Sequence, residues 1–458
     1  MYYPEKDFES WYRDYREELM EELDSLIRIR STLDDASPGC PYGERINTCL
    51  QQTLTLFEDS GFTTGTMDNQ VGFADLGEGG IVLGIPTHID VVPENGPWKT
   101  EPWKLTLKNG RMYGRGVQDN KGAVIQTLAA VRFLQSEGFE FQGRLRFLFG
   151  TNEENGMKGI RHYRENGERI PFCFVPDSAF PIINAEKGII NFRVRGRGQM
   201  NSIRKLYGGD SKNSIPGTAF AHIGENPGFR AARGISIAEG NGLWIVSAEG
   251  ESSHAADPEQ GDNAVTTLFR YLSGYFSDSL MDFYNAFLAD DFFGEKLGIA
   301  FSDKESGKLT LCPGHLRDNS INLDIRYPVT MDSSVISGKI ADALSGFPDL
   351  EFEKGGGLEP LFIPEDDPSI RILAECFRKT TGYSGKNVVS SGGGTYARAF
   401  EKAVAFGPVF PDSEGTGHQP DEYMSEEDFS RGILVYANAV SSLMDDIPAQ
   451  GVSGSGAG

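Results

Sequence analysis

This chain of 458 residues lacks a disulfide framework, any long apolar run and any concentration of basic charge, and each absence excludes a class of function. Its five cysteines, Cys40, Cys49, Cys173, Cys312 and Cys376, are scattered, odd in number and without a Cys-x-x-Cys pair. Such usage fits a reducing compartment. No run of about 18 apolar residues occurs, and Met1-Tyr2-Tyr3-Pro4-Glu5-Lys6-Asp7 has no apolar signal-peptide core. The expectation is a cytoplasmic protein with no membrane partner. Lysine and arginine number 43 against 66 acidic residues, a formal charge of −23, and no basic stripe is present to track phosphates. Nucleic acid is therefore not an expected partner, and the acidity is read as serving solubility.

What is present suits packed cores: 39% of residues are apolar and 11% aromatic. The length exceeds one ordinary core, so two domains are expected. Residues 7–34 and 43–60 predict two helices around the turn-rich stretch from Pro38 to Gly43. From Ile81 onward, short apolar runs alternate with helical stretches, the pattern of an α/β domain. Strands are predicted at 81–85, 144–149 and 172–175, and a helix over 120–136 from the spacing of Val124, Leu128, Val131 and Leu134. After Lys187-Gly188, strand-like alternation at 191–195 and 243–248 mixes with helical stretches at 261–275 and 334–344. A further helix over 367–380 leads to a glycine run, Gly392-Gly393-Gly394. The last eight residues hold only Gly, Ser, Ala and Val and read as a flexible tail.

Histidines and carboxylates collect where predicted strands end. His88 and Asp90 follow the first strand, Glu153 and Glu154 the second, and Asp177 the third. In open α/β sheets ligands bind at the carboxyl ends of strands. With Asp119 and the distant His418, these residues suit a pair of Zn²⁺ ions, because zinc takes nitrogen from His and oxygen from Asp or Glu. Alone, Asp119 reads as a helix cap, Asp177 as a loop acid and Glu153-Glu154 as a solvated turn; together they point to a two-metal amide hydrolase. The Asp90 carboxylate, two residues beyond His88, is expected to accept the free ring N–H of a metal-bound imidazole. Of adjacent Glu153 and Glu154, one can coordinate while the other acts as general base.

Longer strings carry a resemblance over nearly the whole chain. They are Pro86-Thr87-His88-Ile89-Asp90-Val91-Val92-Pro93, Gly114-Arg115-Gly116 with Asp119 and Lys121-Gly122, Gly150-Thr151-Asn152-Glu153-Glu154, Pro176-Asp177-Ser178-Ala179-Phe180-Pro181 and Asn184-Ala185-Glu186-Lys187-Gly188. The chain resembles the di-zinc aminoacylase and dipeptidase metallopeptidases of clan MH, which include carnosinase-like enzymes, and among them the dipeptidase V type. The resemblance implies a zinc-peptidase catalytic domain, a mixed sheet flanked by helices, over residues 1–187 and 386–450. It implies an inserted α+β lid domain over 188–385 and leaves 451–458 as the tail. Asp119 would bridge two zinc ions, for which Co²⁺ or Mn²⁺ can substitute. His88 and Asp177 would complete one site, Glu154 and His418 the other. Glu153 resembles the general base and Asp90 the partner of His88. Where these enzymes usually have a second aspartate after the bridging one, this chain has Asn120, and a cis peptide is expected between the two.

The insert carries its own matches. Ser252-Ser253-His254-Ala255-Ala256 resembles the lid segment whose His254 stabilises the oxyanion, and Asn213 resembles the lid asparagine beside it. Arg326 resembles the clamp on a substrate's terminal carboxylate, a task suited to a guanidinium. Gly393, Gly394, Thr395 and Arg398 precede or begin an expected helix and are assigned to the same end of the substrate. His162, His222 and His315 match no catalytic position and are read as structural. The implied activity is hydrolysis of dipeptides, including those beginning with β-Ala, by a metal-bridged water. An N-acyl amino acid deacylase and a metal-free binding protein are the rival readings. A monomer is favoured over a homodimer because the long insert resembles that of the type in which one chain supplies both halves of the site.

Overall fold

The computed structural model describes residues 2–197 and 202–446, so the tail expected at 451–458 lies outside the described residues. The chain forms two compact units: Met1–Asn184, Ile363–Val389 and Thr395–Gly458 make the first, and Ala185–Phe362 with Ser390–Gly394 the second. The chain thus re-enters the first unit at Ile363, upstream of the return anticipated near 386. The helix Pro368–Thr381 explains the difference, because its apolar stripe of Ile370, Leu373 and Phe377 joins the first unit's core.

The first unit is built on a mixed sheet in which four neighbouring strands, Arg144–Gly150, Ile81–His88, Cys173–Val175 and Ala403–Ala405, run parallel. The hairpin Thr63–Met67 and Val71–Leu76 extends one edge antiparallel. Every residue of Ile81–His88 is buried, which is why this strand reads as an unbroken apolar run rather than an alternation. The helices Lys121–Ser136 and Glu426–Asp446 pack on it and on each other. Around Phe180, the rings of Phe377, Phe406, Phe410 and Tyr436 lie with centroids 4.7–5.7 Å away.

The N-terminal helix stops at Ile27 rather than continuing to residue 34. Buried Lys121 takes the Leu26 and Ile29 carbonyls with its Nζ, at 2.8 Å each, and so caps the helix end. The chain beyond is used as a brace: Ser31 O accepts from Val91 N at 3.0 Å and Ser31 Oγ donates to Ile89 O at 2.6 Å. These bonds hold the segment that follows His88. Gly122 lets the helix Lys121–Ser136 begin against the preceding turn, since a Cβ there would lie 1.9 Å from the Val117 carbonyl oxygen.

The second unit is an eight-stranded sheet, antiparallel throughout, in the order Ile235–Gly240, Leu243–Glu249, Thr218–Ile223, Ile203–Gly208, Thr310–Arg317, Ser320–Tyr327, Gly188–Gly196 and Leu350–Leu358. Alternation sets its faces. Ile190, Phe192 and Val194 are buried, and the residues between them, Asn191 and Arg193, are not. The helices Ala264–Leu272, Ser279–Phe287 and Ser333–Leu344 share a core with the apolar residues of these strands.

Candidate metal centre

His88 ends its strand level with Gly150, in register as Cα partners, so the loops carrying Glu153 and Glu154 leave the sheet beside it. The His88 Nδ1–H donates to the Asp90 carbonyl at 2.9 Å, an assignment of tautomer that leaves the Nε2 lone pair for a cation. Nε2 lies 2.9 Å from Asp119 Oδ1 and 3.4 Å from Asp177 Oδ1. The other oxygen of Asp119, Oδ2, lies 3.1 Å from His418 Nε2, and that nitrogen is 3.0 Å from Glu154 Oε2. Among the described residues, His88, Glu153 and Asp177 bring ligand atoms within 4.8 Å of one another, as do His88, Asp119 and Glu154. The Asp119–Asn120 peptide is cis, as the resemblance implies.

Burial dominates the electrostatics. It pushes Asp177 up to about 6, with His88 pulling the other way, and it raises Glu153 well above the carboxylate range with added repulsion from Asp177. Burial opposes the charge on His88, yet Asp177 and Asp119 beside it raise its value well above that of a free imidazole. Hydrogen bonds to Asp119 and Glu154 push exposed His418 up to about 11. Asp119 is lowered despite its burial, because both imidazoles hydrogen-bond to it. Two imidazoles and four carboxylates crowded together, with Glu153 and Asp177 raised by burial, are a donor set that fits divalent cations of borderline softness.

Two details depart from expectation. The Asp90 carboxylate stands 3.7 Å from His88 Nδ1, which bonds instead to the main-chain oxygen of the same residue. The carboxylate takes the N–H groups of Glu153, at 3.0 Å, and Glu154, at 3.1 Å, because amides turning away from the strand end need a buried acceptor. The helix expected after Gly394 is a single 3₁₀ turn, Tyr396–Ala399, with Thr395 Oγ1 accepting from Ala397 N at 3.2 Å. Gly393 N–H donates to Ser391 Oγ at 2.9 Å, so this amide is already used.

The second unit gathers three of the residues assigned to substrate. Ala255 N donates to Asn213 O at 2.9 Å, which puts Asn213 beside the His254 segment. Ala256 N donates to His254 Nδ1 at 3.3 Å, and Arg326 Nη2 lies 3.5 Å from His254 Nε2. Buried Arg326 is anchored by Gly392 O on Nη1, at 2.7 Å, and by Asp324 Oδ1 on Nε, at 3.2 Å. Arg398 lies in the first unit's 3₁₀ turn with Thr395 at its cap. His162 pairs with Asp68, His222 with Tyr207 and His315 with Asn322, none of them at the cluster.

Three participants were given no role by the sequence. Asn120 Nδ2 donates to Asp177 Oδ1 at 3.0 Å, and Gln118 and fully buried Glu422 join the Asp119 turn to the His418 segment. Each is a polar residue in a polar stretch, and only its distant partner reveals it.

An α/β unit with imidazoles and carboxylates converging at parallel strand ends defines a metal-dependent hydrolase. Residues 84–442 match Peptidase family M20/M25/M40, and the chain belongs to that family. It is 33% identical to YtjP of Bacillus subtilis (strain 168), over 93% of this chain and 97% of that protein. It is 31% identical to the Beta-Ala-Xaa dipeptidase of Lactobacillus delbrueckii subsp. lactis, over 94% of this chain and 97% of the relative. The fold is also that of human carnosine dipeptidase 1, with a TM-score of 0.59 at 15% identity over 96% of this chain and 99% of that one. The dipeptidase Dug1p from Saccharomyces cerevisiae superposes with a TM-score of 0.61 at 14% identity, covering 96% and 98% of the two chains. This chain is therefore a metal-dependent peptide-bond hydrolase. Among the described residues no helix is long and apolar enough to cross a membrane.

Proposed function

We propose that the chain is a dipeptidase that works with two zinc ions, replaceable by Co²⁺ or Mn²⁺. The observation that carries the reading is Asp119, whose two carboxylate oxygens face two different imidazoles, Oδ1 toward His88 and Oδ2 toward His418. His88 and Asp177 would hold one ion, His418 and Glu154 the other, with Asp119 shared. The relative named as a Beta-Ala-Xaa dipeptidase supports dipeptides, those with β-Ala included, as the substrate class.

When bound, the metal supplies Lewis acidity that polarises the scissile carbonyl and acidifies water. Glu153, raised well above the carboxylate range by burial and by Asp177, is the group suited to take a proton and return it to the leaving amine. Asp90 holds the backbone of Glu153 and Glu154 and so aims both side chains. The inserted unit is assigned the substrate and the role of a lid. With Nδ1 accepting from Ala256, the His254 ring presents Nε2–H, and Arg326 Nη2 beside it adds charge; together they suit anionic oxygens. In this reading His254 and Asn213 serve the carbonyl oxygen. Arg326 serves the terminal carboxylate, and Gly393, Gly394, Thr395 and Arg398 are assigned to the same end of the substrate. Counting from a free carboxylate limits the substrate to short peptides. Five free cysteines support a cytoplasmic, reducing setting, and one chain carrying both units supports a monomer.

The test is a panel of dipeptides, tripeptides and N-acetyl amino acids given to zinc-loaded protein, with a chelated control. Chelator-sensitive cleavage of dipeptides alone is expected; preference for the N-acetyl compounds would overturn the assignment in favour of a deacylase.

A further inference from the structure

Two segments some 300 residues apart in sequence interlock beside the metal-binding residues, each side chain gripping the other's backbone. Glu422 Oε1 accepts from the N–H groups of Gln118 at 2.9 Å, Asp119 at 3.1 Å and Gly116 at 3.2 Å. Its Oε2 takes Arg115 Nη1 at 2.7 Å, and the guanidinium lies 5.1 Å from the Trp98 ring. In return, Gln118 Oε1 accepts from Thr416 N at 2.6 Å and Gly417 N at 3.0 Å. Gln118 Nε2 donates to Glu414 O at 3.1 Å and Tyr423 O at 3.3 Å. Glu422, Arg115 and Gln118 are all buried.

The amides being gripped are those of the ligand residues or their neighbours. Glu422 holds the N–H of Asp119 itself, and Gln118 holds the two amides that precede His418. His418 sits at a φ of 65°, in the left-handed region that residues with side chains keep only where their surroundings enforce it. Bonds to Thr416 and Gly417 on one side and burial of Glu422 on the other provide that enforcement. A turn could be held by any acceptor. A reciprocal pair ties the position of Asp119 to the position of His418.

We infer that Gln118 and Glu422 are positioning residues for the metal centre, setting the aim of Asp119 and His418 toward each other. The inference rests on the two-metal reading above. Residues outside the ligand set that orient ligands typically change metal affinity by roughly 10- to 100-fold when replaced.

The test uses the full chain stripped of metal and titrated with Co²⁺, whose visible spectrum reports ligand geometry, and with Zn²⁺ against a chromophoric chelator. The unaltered chain is expected to take two equivalents. Gln118→Met, similar in length but without the amide, should keep the far-ultraviolet circular dichroism of the parent and bind one equivalent roughly 10- to 100-fold more weakly, with a changed cobalt spectrum. Gln118→Glu keeps an acceptor for Thr416 and Gly417 but sets its second oxygen against the Glu414 and Tyr423 carbonyls, so it should weaken the same equivalent. Glu422→Gln, which turns an amide N–H toward donors, should also weaken one equivalent and is decisive where Gln118→Met does not fold. Parental affinity and cobalt spectrum for both equivalents in Gln118→Met or Glu422→Gln, even with a lowered melting temperature, would reduce the pair to scaffold and overturn the inference. No uptake by the unaltered chain would instead overturn the two-metal reading, and the inference with it.

Discussion

Asn120 Nδ2 stands 3.0 Å from Asp177 Oδ1 and 2.6 Å from the Pro176 carbonyl, so the residue after Asp119 orients an acid that follows a different strand. Its Oδ1 also accepts from His88 N at 3.3 Å. An aspartate at this position would lack the N–H that Asp177 receives here. Asn120→Ala should therefore disorient Asp177 and leave buried polar groups unpaired. A stability loss of about 1–3 kcal/mol and a metal affinity lower by roughly 10- to 100-fold are expected, read by denaturant melts and zinc competition. Unchanged affinity would show that Asp177 is held by its own loop.

Glu153 differs from its neighbour because burial and Asp177 raise its proton affinity, whereas Glu154 lies against His418. Glu153→Gln should retain metal and lose turnover by roughly 10²- to 10⁴-fold. Metal content by emission spectroscopy beside kcat distinguishes this from loss of a ligand: a variant that sheds one ion would make Glu153 part of the coordination set.

The metal-free chain should lose stability as pH rises. Asp90 and Asp177 keep their protons to about 6 when folded, while the unfolded chain releases them near pH 4. His88 and His418 are raised as well. Stability from a raised group is complete below its unfolded value and is lost as pH climbs through the folded one. Between about pH 5 and pH 8 all four lower stability as pH rises, the aspartates up to about pH 6 and the histidines from about pH 6.5 upward, and Asp90 alone contributes on the order of 2–3 kcal/mol. Asp119, lowered in the fold, is ionised in both states across that window. The melting temperature of chelated protein should fall over this range and saturating zinc should remove the fall; a rise with pH in the chelated protein would contradict the charge balance described.

His254 and Arg326 lie in the second unit, outside the ligand cluster. His254→Ala should leave zinc binding intact and lower kcat by roughly 10²- to 10³-fold, the size of effect seen on removing one oxyanion donor. Steady-state kinetics on a dipeptide, with zinc content measured in parallel, would check it. A change confined to KM would move His254 from the transition state to substrate binding.

A buried ion pair provides a stability control remote from catalysis. Arg146 Nε donates to Asp75 Oδ1 at 2.7 Å and its Nη1 to Tyr163 Oη at 3.0 Å, with Glu168 3.0 Å from Nη2. Asp75→Ala strips the guanidinium of its main partner and should cost about 3 kcal/mol. Glu168 keeps the loss at the low end of the range for buried pairs. Zinc stoichiometry should not change, and a denaturant melt with a metal assay would reveal otherwise.

The sequence by itself determined the parts whose signal is local. Ile81–His88 is buried on both faces and so had to be apolar at nearly every position, and the Lys121–Ser136 helix shows its periodicity in Val124, Leu128 and Val131. Candidate site residues placed at or just beyond the ends of such strands, His88, Glu153, Glu154 and Asp177, inherit that legibility. Tertiary structure alone decided how distant polar groups are satisfied. The N-terminal helix ends at Ile27 because Lys121 claims its carbonyls, and the Asp90 carboxylate serves two glutamate amides rather than an imidazole. Gln118, Asn120 and Glu422 acquire their roles from partners on other strands and loops. Hydrophobic burial repeats with the period of helix or strand and so leaves a pattern along the chain. A buried hydrogen bond needs one partner at about 3 Å, and nothing in the chain's order says how far away in sequence that partner lies.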